Sequence, residues 1–194
     1  ATLQAKPTAI AARTAATRDS MTDRVAQTRV MRVWNVPQYS SPEVQYLQLF
    51  AQVLGGSRAS RLDQRLFFGD KSVDRVSASM DASELGGTFD ITADIKKGVD
   101  PATVEKAINE ELQRLLTEGP TAAELDQARA VFRAGFVRGI ERIGGLGGKA
   151  DALAECAVYT GEPGCLRGQL ERITNAPPAP AKPAATKRAP VASA

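Results

Sequence analysis

The sequence predicts an α+β domain in two layers, one mixed and mainly antiparallel β-sheet with helices packed on one face. Three observations predict it. Thr88–Ile95 alternates without a break, with Phe89, Ile91, Ala93 and Ile95 on one face and Thr88, Asp90, Thr92 and Asp94 on the other. That is the pattern of a strand with one side in the core and one in water. A second strand-like run, Val73–Met80, precedes it across a turn at Gly86-Gly87, and strands joined by a short turn pair antiparallel. Helical stripes then flank this hairpin instead of alternating with single strands.

The elements follow in order. Ala1 to about Asp19 is rich in Ala and Thr and lacks both an initiator Met and the compact apolar stretch of a signal peptide, since Lys6, Pro7, Arg13 and Arg18 interrupt it. It reads as a lead-in segment with room for an early strand, in a chain expected to be cut from something longer. Asp23–Trp34 is rich in β-branched residues and runs into Asn35-Val36-Pro37, a strand stopped by proline. Ser41-Pro42-Glu43 predicts a helix start with Ser41 at the N-cap. Val44, Leu47, Phe50, Ala51 and Leu54 form its apolar face, and Gly55-Gly56 stops it. Ser57–Leu66 reads as a short second helix that Phe67-Phe68-Gly69-Asp70 ends.

After the hairpin, Asp100-Pro101 opens a helix with Val104, Ala107, Ile108, Leu112, Leu115 and Leu116 on one face. Gly119-Pro120 closes it. Thr121 with Glu124 forms a capping box for the next helix, whose buried stripe is Leu125, Ala128, Phe132 and Phe136. Ile143–Lys149 interrupts that helix. Further helices are expected from about Lys149 to Val158 and over Leu166–Ile173. Residues 175–194 hold five prolines and little to bury, the composition of an extended, mobile tail. The expected organisation is a lead-in over 1–19, a domain over 20–174 and a Pro/Ala-rich basic tail over 175–194.

Composition narrows the function. The chain has 194 residues, no run long and apolar enough to span a membrane, and only two cysteines. It has no histidine at all. That removes imidazole general bases, Ser-His-Asp and Cys-His arrangements, and every zinc site built on imidazole. The net charge of +3 belongs to the tail: without Lys182, Lys187 and Arg188, 22 basic residues face 22 acidic ones. A neutral body lacks the basic stripe of a nucleic-acid interface, and three tail charges give little affinity for anionic surfaces.

VPQYSSPEVQYLQLFAQVLGGSRASRL, GTFDITADIKKG, EGPTAAELDQARA and ERIGGLGGKADALAECAVYTGEPG together resemble the C-terminal-type, non-zinc-binding domain of the insulinase/pitrilysin family of zinc metallopeptidases. That family includes the mitochondrial processing peptidase and the core proteins of respiratory complex III. Ser60-Arg61-Leu62 combined with Thr121-x-x-Glu124-Leu125 carries most of the specificity. The resemblance implies an α+β unit used two or four times around a peptide-binding chamber. It also implies zinc in an N-terminal domain or another chain, on an inverted His-x-x-Glu-His motif that this chain lacks. The implied partners are such a zinc-bearing domain or a homologous subunit, and a peptide substrate. The arginine and tyrosine with which the family's C-terminal domains hold substrate backbone should fall near positions 67 and 74, where this chain has Phe67 and Asp74. Arg65 and Arg75 lie nearby, out of register. The implication is a copy that does not clamp. The family's last helix and strand should follow Ile173, but prolines at 177, 178, 180 and 183 point to an early end.

Other features read plainly. Gly144-Gly145-Leu146-Gly147-Gly148-Lys149 lacks the phosphate-loop spacing and sits between helices, so it reads as a joint. Cys156 and Cys165 are close enough for a disulfide across the Tyr159–Gly164 turn, with two free thiols as the alternative. Asp81, Glu84, Asp90 and Asp94 read as a solvated strand face, and Trp34 and Tyr39 as packing residues. No residue is assigned a catalytic or metal-binding role, and substrate-binding residues stay unassigned. The chain is expected not to be catalytic alone. It is expected to complete the chamber of a zinc endopeptidase, or to be a structural subunit like the complex III core proteins, with a nucleic-acid-binding tail as the weakest alternative. Similar proteins are bacterial and often exported, so the expected compartment is the periplasm or the exterior, with the cytoplasm as the alternative.

Overall fold

The computed structural model describes residues 13–177. In chain order they form strand β1 (Thr28–Val36), helix α1 (Glu43–Gly55), a π-helical segment (Asp63–Gly69), strands β2 (Val73–Ala82) and β3 (Gly87–Ile95), and helices α2 (Pro101–Glu118), α3 (Ala122–Glu141), α4 (Lys149–Thr160) and α5 (Cys165–Thr174). The class is α+β, as the alternating hairpin predicted. The sheet order is β1-β3-β2 with both ladders antiparallel. β1 and β2 run the same way, as a helical crossover between them requires. Because β3 sits between them, no parallel ladder forms among the described residues.

Alternation in β3 places Phe89, Ile91, Ala93 and Ile95 in the core. α1 covers β2, α2 reaches over β1, and α3 and α5 pack on α1 from outside. Leu54, Leu62, Leu66, Val104, Ile108 and Leu115 are fully buried between sheet and helices. Each such side chain contributes roughly 1.5–3 kcal/mol by leaving water. Gly55 sets the depth of the α1–β2 contact. A Cβ there would stand 2.4 Å from the backbone nitrogen of Ala78, so only glycine lets the helix end lie on the strand.

The helix starts follow their sequence signals in two of three places. The Asp100 side chain accepts from the Ala102 N–H at 3.0 Å ahead of Pro101. Thr121 and Glu124 form the reciprocal capping box. At α1 the expectation fails by one residue. Pro42 is the cap, no side chain caps the backbone, and the Ser41 hydroxyl bonds the Glu43 carboxylate instead.

Three boundaries differ further. β1 begins at Thr28 rather than Asp23 because its length is set by pairing with all nine residues of β3. The helix expected over Ser57–Leu66 lies later. Ser57–Ser60 is a turn, closed by the Ser60 hydroxyl on the Ser57 carbonyl at 2.6 Å, and Phe67 and Phe68 belong to the π-helical segment instead of ending it. On α3 the predicted stripe fades along the helix: Leu125 and Ala128 are buried, Phe132 and Phe136 only half so. Gly161, at φ 74°, closes α4 in the left-handed region. The lead-in over 1–12 and the tail from 178 onward lie outside the described residues. Arg13–Asp19 forms no strand, and Asn175–Pro177 leaves α5 without further helix.

Candidate functional site

The sheet has one face covered by helices and one open to water. Reading across the open face from β1 through β3 to β2, the rows are Arg29–Asp94–Arg75, Met31–Thr92–Ser77, Val33–Asp90–Ser79 and Asn35–Thr88–Asp81. Arg29 donates to Asp94 at 2.7 Å, and the Thr88 hydroxyl donates to Asp90 at 2.7 Å. Of the four carboxylates noted in the sequence, Asp81, Asp90 and Asp94 share this face and Glu84 sits in the exposed turn.

The two positions where the resemblance places a substrate clamp are not brought together here as one. Phe67 is half-buried in the π-helical segment, with the Arg58 guanidinium 4.0 Å from its ring centre and Phe68 edge-on at 4.9 Å. Asp74 is the exposed residue at the bulge of β2 and accepts from Gln27. Neither neighbouring arginine stands free to replace the clamp. Arg65 is held by Asp70 at 2.9 Å and reaches Glu110 at 3.5 Å, while Arg75 sits opposite Asp94 on the open face.

A buried ion pair links the two stretches that carried the resemblance. Arg61 donates to both carboxylate oxygens of Glu124 at 2.7 and 2.8 Å and to the Gly119 carbonyl at 3.1 Å. It ties the start of the π-helical segment to the first turn of α3. Periodicity gives no hint of this pair, because its members are 63 residues apart. The Arg61 guanidinium and the Thr121 cap together hold the Glu124 carboxyl down at about 2, against the opposing effect of its partial burial. Hydrogen bonds from Arg18 and Arg32 lower Glu105 in the same way, and Ser41 lowers Glu43. All three shifts run opposite to what a general acid at neutral pH requires.

Around α4 and α5, Cys156 and Cys165 are joined as a disulfide with Cα atoms 5.5 Å apart, which resolves the choice left open by their spacing. Tyr39 packs on Tyr159 at 5.0 Å and accepts from Gln169, and Arg172 donates to Gln45 at 2.7 Å. Trp34 packs edge-on against Phe89 at 6.0 Å. Both aromatics read from the sequence as packing residues do pack. Arg142–Lys149 is the non-helical joint between α3 and α4. A shallow cavity of about 180 Å³ lies between α1, β2 and α3, lined mainly by Leu49, Gln52, Met80 and Phe132.

The residues present do not fit a zinc ion. No group of three His, Cys, Asp or Glu lies close enough to hold a metal among the described residues. Histidine is absent from the sequence, and both thiols are spent in the disulfide. No described helix is long and apolar enough to cross a membrane.

Similar solved structures place this geometry. One is a protease from Helicobacter pylori, with TM-score 0.70, 18% identity, 79% of this chain and 36% of that one. Another is the inactive peptidase domain of a candidate zinc protease from Bordetella parapertussis, with TM-score 0.67, 21% identity, 81% of this chain and 84% of that one. A chain of complex III2 from Candida albicans matches at TM-score 0.64 and 15% identity, over 79% of this chain and 38% of that one. At these identities the likeness establishes the fold. The chain spans about a third of the Helicobacter protein and most of the Bordetella domain. No curated protein sequence matches it. The family model described as the peptidase M16 inactive domain matches residues 1–132, from the lead-in through the half-buried Phe132 of α3. With the helix-backed sheet, the missing imidazoles and the vacated clamp positions all agreeing with that description, the chain belongs to the peptidase M16 inactive-domain family.

Proposed function

We propose that this chain is a non-catalytic domain of a zinc metalloendopeptidase that completes a peptide-binding chamber, with the zinc site in another domain or chain. The observation that carries the reading is a protease-family fold without a single histidine. Such a domain can shape a peptide's surroundings but cannot activate water on an imidazole-bound metal. Its contribution would be an apolar wall and open strand edges, onto which an extended peptide adds as a further strand. Local affinity would be low, because the chamber needs both halves. The working unit would be residues 20–174, and its partners a zinc-bearing domain or homologous subunit and the peptide.

The disulfide supports an oxidising location, the periplasm or the exterior, over the cytoplasm. The test is reconstitution. Mixing the chain with a zinc-bearing companion of the same family should raise endopeptidase activity that a chelator abolishes. Chelator-sensitive hydrolysis by the purified chain alone would overturn the reading. A second reading is favoured by the likeness to a chain of complex III2. In that case the chain is a structural subunit, and a stable complex would form without peptidase activity.

A further inference from the structure

A sheet face turned to water carries polar side chains. On the open face here, every residue of β2 and β3 is Ser, Thr, Asp or Arg. The exceptions are two residues of β1, Met31 at 60% exposure and Val33 at 49%, which stand on the same side two positions apart. The strand that carries them is also a sheet edge. β1 pairs only with β3, and no described strand lies on its other side. Its nine residues pair without a register shift, so the edge is straight. The opposite edge, β2, is broken by the bulge at Asp74, the usual device against further pairing.

In an antiparallel ladder, about half of an edge strand's residues turn N–H and C=O groups outward. Only an extended chain offers donors and acceptors with that two-residue repeat. A strand added there would set alternate side chains about 5 Å from Met31 and Val33. On the helix side of the same stretch, its intervening residue would meet Trp34, which is 38% exposed. Charge would not select the guest, because Arg29 is held by Asp94 and Arg32 by Glu105 and Asn109.

We propose that β1 is the docking edge of this domain, and that it takes an extended peptide segment with apolar side chains at alternate positions over Met31 and Val33. This rests on the reading above that the domain positions peptides, and adds which edge does so and which pattern it selects.

The test uses the full chain and a fluorescent nonapeptide of alternating Thr and Val, read by anisotropy and by hydrogen exchange. The expected result is slowed exchange in residues 28–36 and none in 73–82. Met31→Asp and Val33→Asp should each weaken binding about tenfold or more, about 1.4 kcal/mol. Ser79→Asp, in the same row on β2, should leave it unchanged. All three positions are half-exposed or more, and circular dichroism verifies that the variants fold. A peptide of the same sequence with every backbone N–H methylated should not bind. Equal binding of that peptide, absent binding of the parent, or protection of 73–82 would each overturn the proposal. So would concentration-dependent protection of 28–36 without peptide, which would assign the edge to a second copy of the chain. Because no metal or companion is present, a negative result here leaves the reconstitution experiment standing as a separate test of the chamber reading.

Discussion

The chain joins two regions that are held together by different means. In the sheet and its covering helices, burial does the work: β3 buries Phe89, Ile91, Ala93 and Ile95, and α1 buries seven of its thirteen residues. In the C-terminal helices, α3 buries only Leu125 and Ala128, α4 only Cys156 and α5 only Ile173. That region is fixed by discrete tethers. The disulfide locks α4 to α5, Arg172 bonds Gln45 of α1, and Arg61 clamps Glu124 at the start of α3. Burial scales with area and resists any single polar change, whereas a tether can be cut by one reagent or one proton. The sheet is therefore expected to behave as a rigid support, and the outer helices as a separately adjustable layer.

The largest expected effect breaks the first region. Ile91→Ala removes a fully buried side chain at the centre of the sheet and should cost about 3–4 kcal/mol. Urea unfolding followed by the single tryptophan, Trp34 on β1, should show the midpoint falling for the whole body. A loss confined to α4 and α5 would contradict the contrast. The next effect sharpens it. Replacing Cys156 and Cys165 together by serine frees a loop with a sequence separation of 9 and should cost about 2.5 kcal/mol. Exchange should accelerate over 149–174 while 87–95 stays protected. Equal acceleration in both places would show that the two regions unfold as one.

The same contrast explains what the sequence made legible. Elements whose own periodicity decides them were readable: β3 from strict alternation, α2 from Asp100-Pro101, and α3's start from Thr121 and Glu124. Burial-driven structure writes itself into local patterns, because each core position must be apolar. Elements decided by a distant partner were not readable. The start of β1 depends on pairing with β3, the π-helical segment on packing under β2, and the Arg61–Glu124 pair on two stretches that meet only after folding. The cysteine spacing allowed a disulfide but could not choose it over free thiols, since that choice depends on how the turn brings two helices together. At the candidate site, the loss of the clamp residues was legible at 67 and 74. The exposed Met31 and Val33 were not, because an apolar β-branched run looks the same on a buried strand and on an open edge.

The smallest effect is a pH dependence that separates one tether from the rest. The Glu124 carboxyl titrates at about 2 in the folded chain, below its ordinary 4.5, chiefly because Arg61 donates to it. The folded state therefore holds this proton less readily than the unfolded one. The stabilisation is full above about pH 5 and drains away as the pH falls through 4.5 toward 2. With the side chain 27% exposed, the contribution near neutrality is about 2 kcal/mol. Glu124→Gln keeps the shape but removes the charge. Unfolding free energies of the parent and this variant should differ most at pH 6–7 and converge by about pH 2. A gap that persists unchanged at pH 2 would mean that Glu124 acts through packing and capping alone. In that case the outer layer would owe its position to the disulfide and α5 rather than to the ion pair.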